Sequence, residues 1–544
     1  MIQQSFDILL IIPELFQLIL VNVFLLFALS FSGYGSQKLP TKVASNDLAY
    51  AIRVGHVFKP LQVIEPVLWL VILSLVFSAF LYANCPLTYG VGLTQSMIMD
   101  PLARIFKILL SLSSAAALAL SVSTFRRFSS YEFILIMFLA IIGMSCLASS
   151  YNFLIMYLSI ELQSLSFYML AGMRSRSEAS AEASLKYFIL SAFSSSILLL
   201  GMTLIYASIG SINFADLSLF LNHFAATDQL EQVPLSLVIG LACICVSLLF
   251  KLAAAPFHAW VADVYEGSPT NITAFFAITA KISVLCVLLR MIDFSQGTFI
   301  MTVLAFVAVM SLAIGALSAM RQAKLKRLLA FSGVANVGWF LLAMSAGQWE
   351  ALVLHLMIYI VLSITLFSIF IMPIFRNQPT VEYKLRTDSK IGVLDHGADV
   401  NSIKYISDLQ QIYQTNPAIA FAISIGMFSL AGIPPLAGFY SKYIIIHALI
   451  QSEQMLMLAI ALVTAVISAF YYIRIIKTMY FTTNLQAQNS AGLVFKSKQV
   501  DKRQWFSIYS ASMGQCYLIA TATMFTLFFI VKPDYINVWL ALAH

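Results

Sequence analysis

Residues 248–260 read LLFKLAAAPFHAW. A lysine and a proline stand five residues apart at the end of an apolar run that begins near 235. Neither belongs in an unbroken helix surrounded by lipid. A charged group at mid-membrane costs about 2.5–3.5 kcal/mol on insertion scales. Proline has no N–H, so Pro256 would leave the carbonyl of Leu252 without its helical partner. Interrupted backbone at membrane depth is tolerated only where protein or water satisfies it. The stretch therefore reads as a broken helix lining an internal site. A second stretch repeats the combination: SLAGIPPLAGFYSK at 429–442 places Pro434 and Pro435 ahead of Lys442. Those prolines would free the carbonyls of Leu430 and Ala431, with Gly432 and Gly438 adding bend.

That the surroundings are lipid follows from composition. Of 544 residues, 60% are apolar and 10% are Asp, Glu, Lys or Arg, against about 45–50% and about 25% in soluble domains. So few charges cannot make a surface that water accepts. Intrinsic disorder, nucleic-acid binding and a disulfide scaffold are excluded with it. The net charge of +7 matters only through where the charges sit. The six cysteines, at 85, 146, 243, 245, 286 and 516, show no C-x-x-C and no paired cluster. Iron–sulfur or other metal ligation is therefore not expected, and they read as small buried apolar residues. No cleavable leader is expected either: the first basic residue is Lys38, and Asp7 and Glu14 make the start mildly acidic.

Apolar runs of about 20 residues fall near 8–32, 63–83, 100–122, 131–150, 152–172, 184–209, 235–256, 270–292, 297–319, 327–346, 350–375, 416–450, 456–480 and 510–532. They predict an all-α polytopic membrane protein of about 14 transmembrane helices, with helices 7 and 12 broken. The connections at 33–62, 210–234, 376–415 and 481–509 are too short for a soluble domain. Lys and Arg sort by side: 23 follow odd-numbered spans, and four, Arg104, Lys107, Arg290 and Lys532, sit at helix ends on the opposite side. This asymmetry predicts that both termini face away from the cytoplasm or matrix. Two breaks five spans apart suggest two inverted five-helix repeats. The expected division is 1–130 for helices 1–3, 131–292 for a first repeat, 297–480 for a second, and 481–544 for a loop and helix 14.

Four lysines and a glutamate remain within spans: Lys186, Lys251, Lys281, Lys442 and Glu161. Together they cost on the order of 10 kcal/mol unless they line water or pair. Lys186 lies two residues inside its span, where snorkelling to the interface competes with a functional role. Tyr157, Glu161, Ser164 and Tyr168 recur at i, i+4, i+7 and i+11, and Cys243, Ser247 and Lys251 share a face of span seven. Free lysine titrates near about 10.4; burial brings a lysine toward neutrality, and a nearby carboxylate opposes that. Moving or neutralising Glu161 would switch a lysine between holding and releasing a proton. Such a device needs no metal or organic cofactor.

The stretches YLSIELQSLSFYMLAG at 157–172, EASLKYFILSAFSSSILLLG at 182–201, FKLAAAPFHAWVADVYEGSPT at 250–270, AKLKRLLAFSGVANVGW at 323–339 and AGIPPLAGFYSKYIII at 431–446 carry a family likeness. They resemble the antiporter-like subunits of respiratory complex I, in the subunit 2 family (subunit N in bacteria). The match runs in order over roughly 60–480. ELQSLS, and VYEGSP after PFHAW, look like that family rather than its paralogues, subunits 4 and 5, or stand-alone Mrp-type antiporters. The resemblance implies a proton-translocating membrane-arm subunit of NADH:ubiquinone reductase. Electron transfer from NADH to ubiquinone would take place in other subunits and drive protons outward through this one. Glu161 and Lys251 would be the paired carboxylate and lysine of the first half, Lys281 the central connecting lysine and Lys442 the terminal lysine of the second half. Lys186 matches a further lysine of less defined role.

No cofactor is implied on this chain, and no site for NADH, flavin, iron–sulfur clusters or quinone. The implied partners are other membrane-arm subunits, including a neighbouring antiporter-like subunit, and phospholipids. The implied location is the mitochondrial inner membrane, with both termini on the intermembrane-space side, or else a bacterial plasma membrane. The alternative is a stand-alone Mrp-type cation/proton antiporter, which would run without a redox partner. Asn336 departs from the family, which often has histidine there. An amide takes no proton, so the link between halves would rest here on hydroxyls and water.

His258 reads either as a proton relay or as a hydrogen-bonded structural residue. His355 and His447 are the other histidines within spans, and haem ligation would need a facing pair at one depth. The topology is open to a direct test. Single cysteines placed in 210–234 and in 376–415 should react with impermeant thiol reagents from opposite faces of the membrane. Labelling of both from one face would remove the fourteen-span arrangement.

Overall fold

Backbone groups within lipid must be bonded inside their own segment or a closed neighbour, which leaves helices as the spanning element for such a chain. A computed structural model gives the arrangement. It describes residues 12–20, 22–24, 61–85, 89–93, 95–125, 131–174, 177–226, 234–294, 298–372, 374–375, 403–410, 412–481, 507–508 and 513–533. The expectations for the long connections 33–62, 376–415 and 481–509 lie largely outside these residues, as do the chain ends.

The helices begin with α1 (Ile12–Phe24), α2 (Leu61–Ala83) and α3 (Pro101–Phe125). A first stretch holds α4 (Tyr131–Ala148), α5 (Phe153–Ala171), α6 (Glu178–Ile209), α7 (Phe214–Ala226), α8 (Leu235–Leu252), α9 (Ala259–Gly267), α10 (Thr270–Ile278) and α11 (Ala280–Phe294). A second holds α12 (Thr298–Met320), α13 (Leu325–Ser345), α14 (Trp349–Phe370), α15 (Pro417–Ala431), α16 (Ala437–Gln451) and α17 (Met455–Tyr480). The last helix, α18, covers Met513–Phe528 and packs on α3, α14 and α15. Strand pairing among the described residues is confined to two short antiparallel ladders, Gly90–Gly92 with Met97–Met99 and Ile374–Phe375 with Ser507–Ile508. The all-α reading holds. Every predicted apolar run falls on helix, and ten described helical segments are long and apolar enough to cross a membrane.

The two stretches share one neighbour pattern. α4 packs on α5, α5 on α6, α6 on α8, and α11 on both α4 and α8. Likewise α12 packs on α13, α13 on α14, α14 on α15, and α17 on both α12 and α15. They meet where α10 lies against α14 and α9 against α13. In each stretch the fourth partner is the broken helix.

Three details depart from the sequence reading. The first break comes before its proline: α8 ends at Leu252, and Ala253 adopts a left-handed conformation with φ 60°. Leu252 is therefore the last helical residue, with no helix continuing to Pro256. After the turn the chain forms α9, and α7 adds a short helix after α6; neither was expected. The eighth span is interrupted at Thr279, between α10 and α11, with no proline or glycine to announce it.

Close helix approach in membranes depends on small residues. Gly201 on α6 and Gly240 on α8 face each other so closely that a Cβ on Gly201 would lie 2.7 Å from the Gly240 carbonyl oxygen. The reciprocal distance is 2.9 Å. Gly240→Val should force these helices apart and destabilise the protein by about 1–3 kcal/mol, as overpacking does. A fall in the melting temperature of the purified, assembled protein would show it. An unchanged melting temperature would mean that α8 can shift without loss.

Candidate functional site

Each broken helix ends at a cation. In α8 the cation belongs to the last turn itself: Lys251 is one residue from the end. The amides of Ala253 and Ala254 donate to the carbonyls of Phe250 and Leu249, each at 3.0 Å, and the Trp260 indole N–H donates to Phe250 at 3.2 Å. These bonds close the helix end and leave the Lys251 ammonium to reach sideways, where it donates to the Ser191 hydroxyl of α6. In the second break, α15 stops at Ala431 and Gly432 takes the left-handed position with φ 85°. The carbonyls of Leu430 and Ala431 then accept from Lys442 Nζ of α16, at 2.6 and 3.3 Å. These are the two carbonyls expected to be freed by Pro434 and Pro435. Both lysines therefore sit at the negative end of a half-helix, where a cation is favoured.

Lys281 lies between them, two residues after the interruption at Thr279. It is 7% exposed and donates to the Tyr359 hydroxyl at 3.0 Å and to the Gly333 carbonyl at 3.4 Å. Its Nζ is also 4.7 Å from the Tyr359 ring centroid, so one tyrosine of α14 holds the charge by hydroxyl and by π-face. Gly333 makes the room: a Cβ there would come within 3.2 Å of Lys281 Nζ.

Lys251 and Lys281 line one cavity, with Gln163, Ser164, Tyr187 and Tyr265 among its other walls. It offers ≈ 30 Å³ to water-sized spheres, about twice what a single water needs. A smaller cavity of ≈ 10 Å³ is bounded by Lys442, Asn336, Trp339, Ser468, Tyr471 and Tyr472. Asn336 donates its amide to the Ser332 carbonyl at 2.9 Å, so it is held to its own helix.

Glu161 makes no direct ion pair with Lys251, although its charge reaches the ammonium. No ion pair joins them among the described residues, and Glu161 Oε1 is buried without a hydrogen-bond partner. Glu161 and Lys251 stand on different helices, α5 and α8, and spacing along α5 cannot show their distance. The polar face of α5 nevertheless leads toward Lys251, since Tyr168 reaches both Ser164 and Ser191, and Ser191 holds Lys251. Ser247 adds less than expected, because its hydroxyl donates to the Ile244 carbonyl at 2.8 Å.

Lys186 resolves toward the surface. It is 42% exposed and bridges Glu182 at 2.6 Å and Asp263 of α9 at 2.9 Å. Asp263 also meets Arg327 of α13 at 2.5 Å, and Glu266 of α9 takes Lys324 and Arg327. The acidic face of α9 thus ties the first stretch to the second. Hydrogen bonding from Lys186, with Arg327 beside it, holds the Asp263 carboxyl below its ordinary range against partial burial. His258 stands at the N-cap position of α9 without a side-chain capping bond, its ring 6.3 Å from that of Phe331 and Nδ1 buried without a partner. No hydrogen bond or ion pair joins it to the buried lysines.

Charges elsewhere were misread. Lys107 is not at an exposed helix end but 1% exposed, ion-paired with Glu14 of α1 and 5.3 Å from the Tyr82 ring. Arg290 is 3% exposed and bridges Asp100 at 3.0 Å while donating to the Ser150 carbonyl at 2.6 Å. The sign count records side, not depth, and Lys107 lies seven residues into its apolar run. His355 is also buried in the second stretch, at 4% exposure. Among the described residues no group of three His, Cys, Asp or Glu could hold a metal ion.

Residues 150–468 match the family described as NADH:quinone oxidoreductase/Mrp antiporter, TM. The chain is similar to NADH-ubiquinone oxidoreductase chain 2 of Marchantia polymorpha, 39% identical over 427 residues, 76% of this chain and 81% of that one. It is also similar to NADH-quinone oxidoreductase subunit N of Bartonella bacilliformis, 35% identical over 406 residues, 72% of this chain and 77% of that one. Among solved structures, a chain of respiratory complex I from Thermus thermophilus superposes with a TM-score of 0.64 at 25% identity, covering 87% of this chain and 97% of that one.

The α9 cluster gives a pH test. A carboxyl lowered on folding contributes stability that is full above the free value of about 3.9 and fades as pH falls through the lower folded value. Asp263→Asn should therefore lower the melting temperature at neutral pH. The difference from the native chain should shrink as the medium is acidified below pH of about 4. A gap that is constant with pH would show that the carboxylate's charge is not what ties α9 to α6 and α13.

Proposed function

The chain belongs to the NADH:quinone oxidoreductase/Mrp antiporter family, on the side of complex I chain 2 and subunit N, and from that premise we propose a proton relay through its middle. The protein acts as a membrane-arm subunit of the complex that couples NADH-to-quinone electron transfer to proton translocation, and redox centres reside in other subunits. The observation that carries the relay is the placement of Lys251, Lys281 and Lys442. Two stand at the carbonyl ends of broken helices, and the third stands at an interrupted helix between the two stretches.

The chemistry follows from what each position tolerates. A carboxylate drawn toward Lys251 favours its charged form, and one held apart favours proton release. Glu161, which makes no direct ion pair with the lysine, and Lys251, held by a neutral hydroxyl, fit the separated arrangement. A proton leaving Lys251 has Lys281 across the shared cavity. Water ordered by Ser164, Gln163 and the tyrosines would carry it. From Lys281 it passes along α14 toward Lys442, and Lys186 with Asp263 and Glu182 supplies a charged surface site where protons gather. His258 has no comparable link and stands at the start of α9. Partners are the neighbouring antiporter-like subunit and other membrane-arm subunits, with phospholipids around them. The site is the mitochondrial inner membrane, with both termini on the intermembrane-space side. A stand-alone Mrp-type antiporter is the rival function, but identity to complex I chains over three quarters of the sequence favours the first.

Two substitutions test the relay. Lys251→Met keeps the bulk and removes the proton site, so an assembled complex should pump about tenfold less or worse. Lys442→Met should stall the cycle: NADH oxidation and vesicle acidification fall together by about tenfold or more, with their ratio unchanged. Full electron transfer with full pumping in assembled Lys442→Met would end the reading. Full electron transfer with lowered pumping would mean that the halves are not tightly linked.

A further inference from the structure

The relay leaves one gap. Lys281 and Lys442 share no hydrogen bond or cavity among the described residues, and Asn336, which borders the Lys442 cavity, cannot take a proton. A histidine on α14 lies between the two surroundings. His355 stands one helical turn before Tyr359, so the two share a face about 5–6 Å apart at Cβ. Tyr359 bonds Lys281 at 3.0 Å. On its other side the His355 ring bonds through Nδ1 to the Ser441 hydroxyl at 3.0 Å. Ser441 directly precedes Lys442, whose charge lies within electrostatic reach of the ring. Phe340 covers both groups, its ring 5.1 Å from His355 and 5.7 Å from Tyr359. His355 Nε2 is buried with no hydrogen-bond partner among the described groups.

A buried imidazole with one nitrogen held and one open is an expensive way to fill space. A half-satisfied polar group in the interior carries a desolvation cost that an apolar side chain would not. An imidazole can accept a proton at one nitrogen and give one up at the other. We propose that His355 is the proton carrier between Lys281 and Lys442. The inference rests on the relay reading above. In each transfer one N–H or O–H bond breaks at the donor and one forms at the acceptor, and the positive charge moves with the proton. The Lys281 ammonium gives up a proton, through the Tyr359 hydroxyl, to Nε2; the imidazolium then gives up its Nδ1 proton to Ser441. The Ser441 hydroxyl, which otherwise donates to the Gly438 carbonyl at 3.1 Å, releases its own proton toward neutral Lys442. Two cations this close in a dry interior are not held together, so Lys442 must be empty before His355 is filled. The carrier therefore passes one proton at a time.

The test uses assembled complex in vesicles, with NADH oxidation and acidification read together and Lys442→Met run beside each variant. His355→Asn retains an amide that can bond Ser441 but carries no proton; His355→Leu retains neither. Both should lower electron transfer and pumping together by about tenfold or more, with the proton-to-electron ratio unchanged. Normal turnover in His355→Asn with loss only in His355→Leu would make His355 a positioning residue and overturn the proposal. So would normal turnover in both while Lys442→Met stalls. Normal turnover in Lys442→Met would instead remove the relay itself. Should neither His355 variant assemble, Ser441→Ala decides, since it removes one hydroxyl and leaves the ring in place. Slower turnover with an enlarged solvent deuterium effect is expected, and unchanged turnover would overturn the carrier role.

Discussion

A helix that stops inside a membrane protein leaves its last carbonyls without N–H partners where bulk water is absent. This constraint organises both halves of the molecule. In the second break two such carbonyls are met by the ammonium of Lys442. In the first, backbone amides and the Trp260 indole close the helix end. Lys251 is thereby released to bond a hydroxyl on the neighbouring helix. A cation at a carbonyl end is favoured by the helix dipole and disfavoured by burial. On the proposed relay, these opposing effects let a small rearrangement decide whether it keeps its proton.

The breaks were legible because proline chemistry is local. Pro434 and Pro435 point by arithmetic to Leu430 and Ala431, and those carbonyls are the ones Lys442 meets. The first break was legible in kind but not in place. The ring of Pro256 restricts the residue before it, and the chain turns earlier, at an alanine in a left-handed conformation that alanine seldom adopts. The interruption at Thr279 has no local signal at all. Side-chain partners were the least legible. Glu161 and Lys251 lie on different helices, and which of several hydroxyls or carboxylates meets the ammonium depends on packing to within an ångström. Lys107 was counted by side alone, whereas its burial depends on Glu14, 93 residues away in sequence.

Gly201 against Gly240, and Gly333 beneath Lys281, show that small residues serve two purposes here. The first pair brings α6 close enough to α8 for Ser191 to reach Lys251. The second leaves room for an ammonium between α11 and α13. Both are consequences of packing without a hydrophobic driving force, where backbone approach replaces the burial of large side chains.

The two breaks differ in what loss of a proton does. Neutral Lys251 gives up a bond to a hydroxyl that has other partners nearby. Neutral Lys442 would keep two N–H groups for the carbonyls of Leu430 and Ala431 but lose the charge that strengthens those bonds. On the proposed relay, the second half is therefore where proton occupancy is tied to backbone position. Emptying Lys442 weakens the hold on the end of α15, and α15 packs on α14, which bears His355 and Tyr359. The step that fills Lys442 from His355 restores the charge that strengthens its bonds to those carbonyls. The first half, whose cavity is the larger of the two described, leaves room for water beside Lys251 and Lys281, where loss of a proton disturbs no helix end.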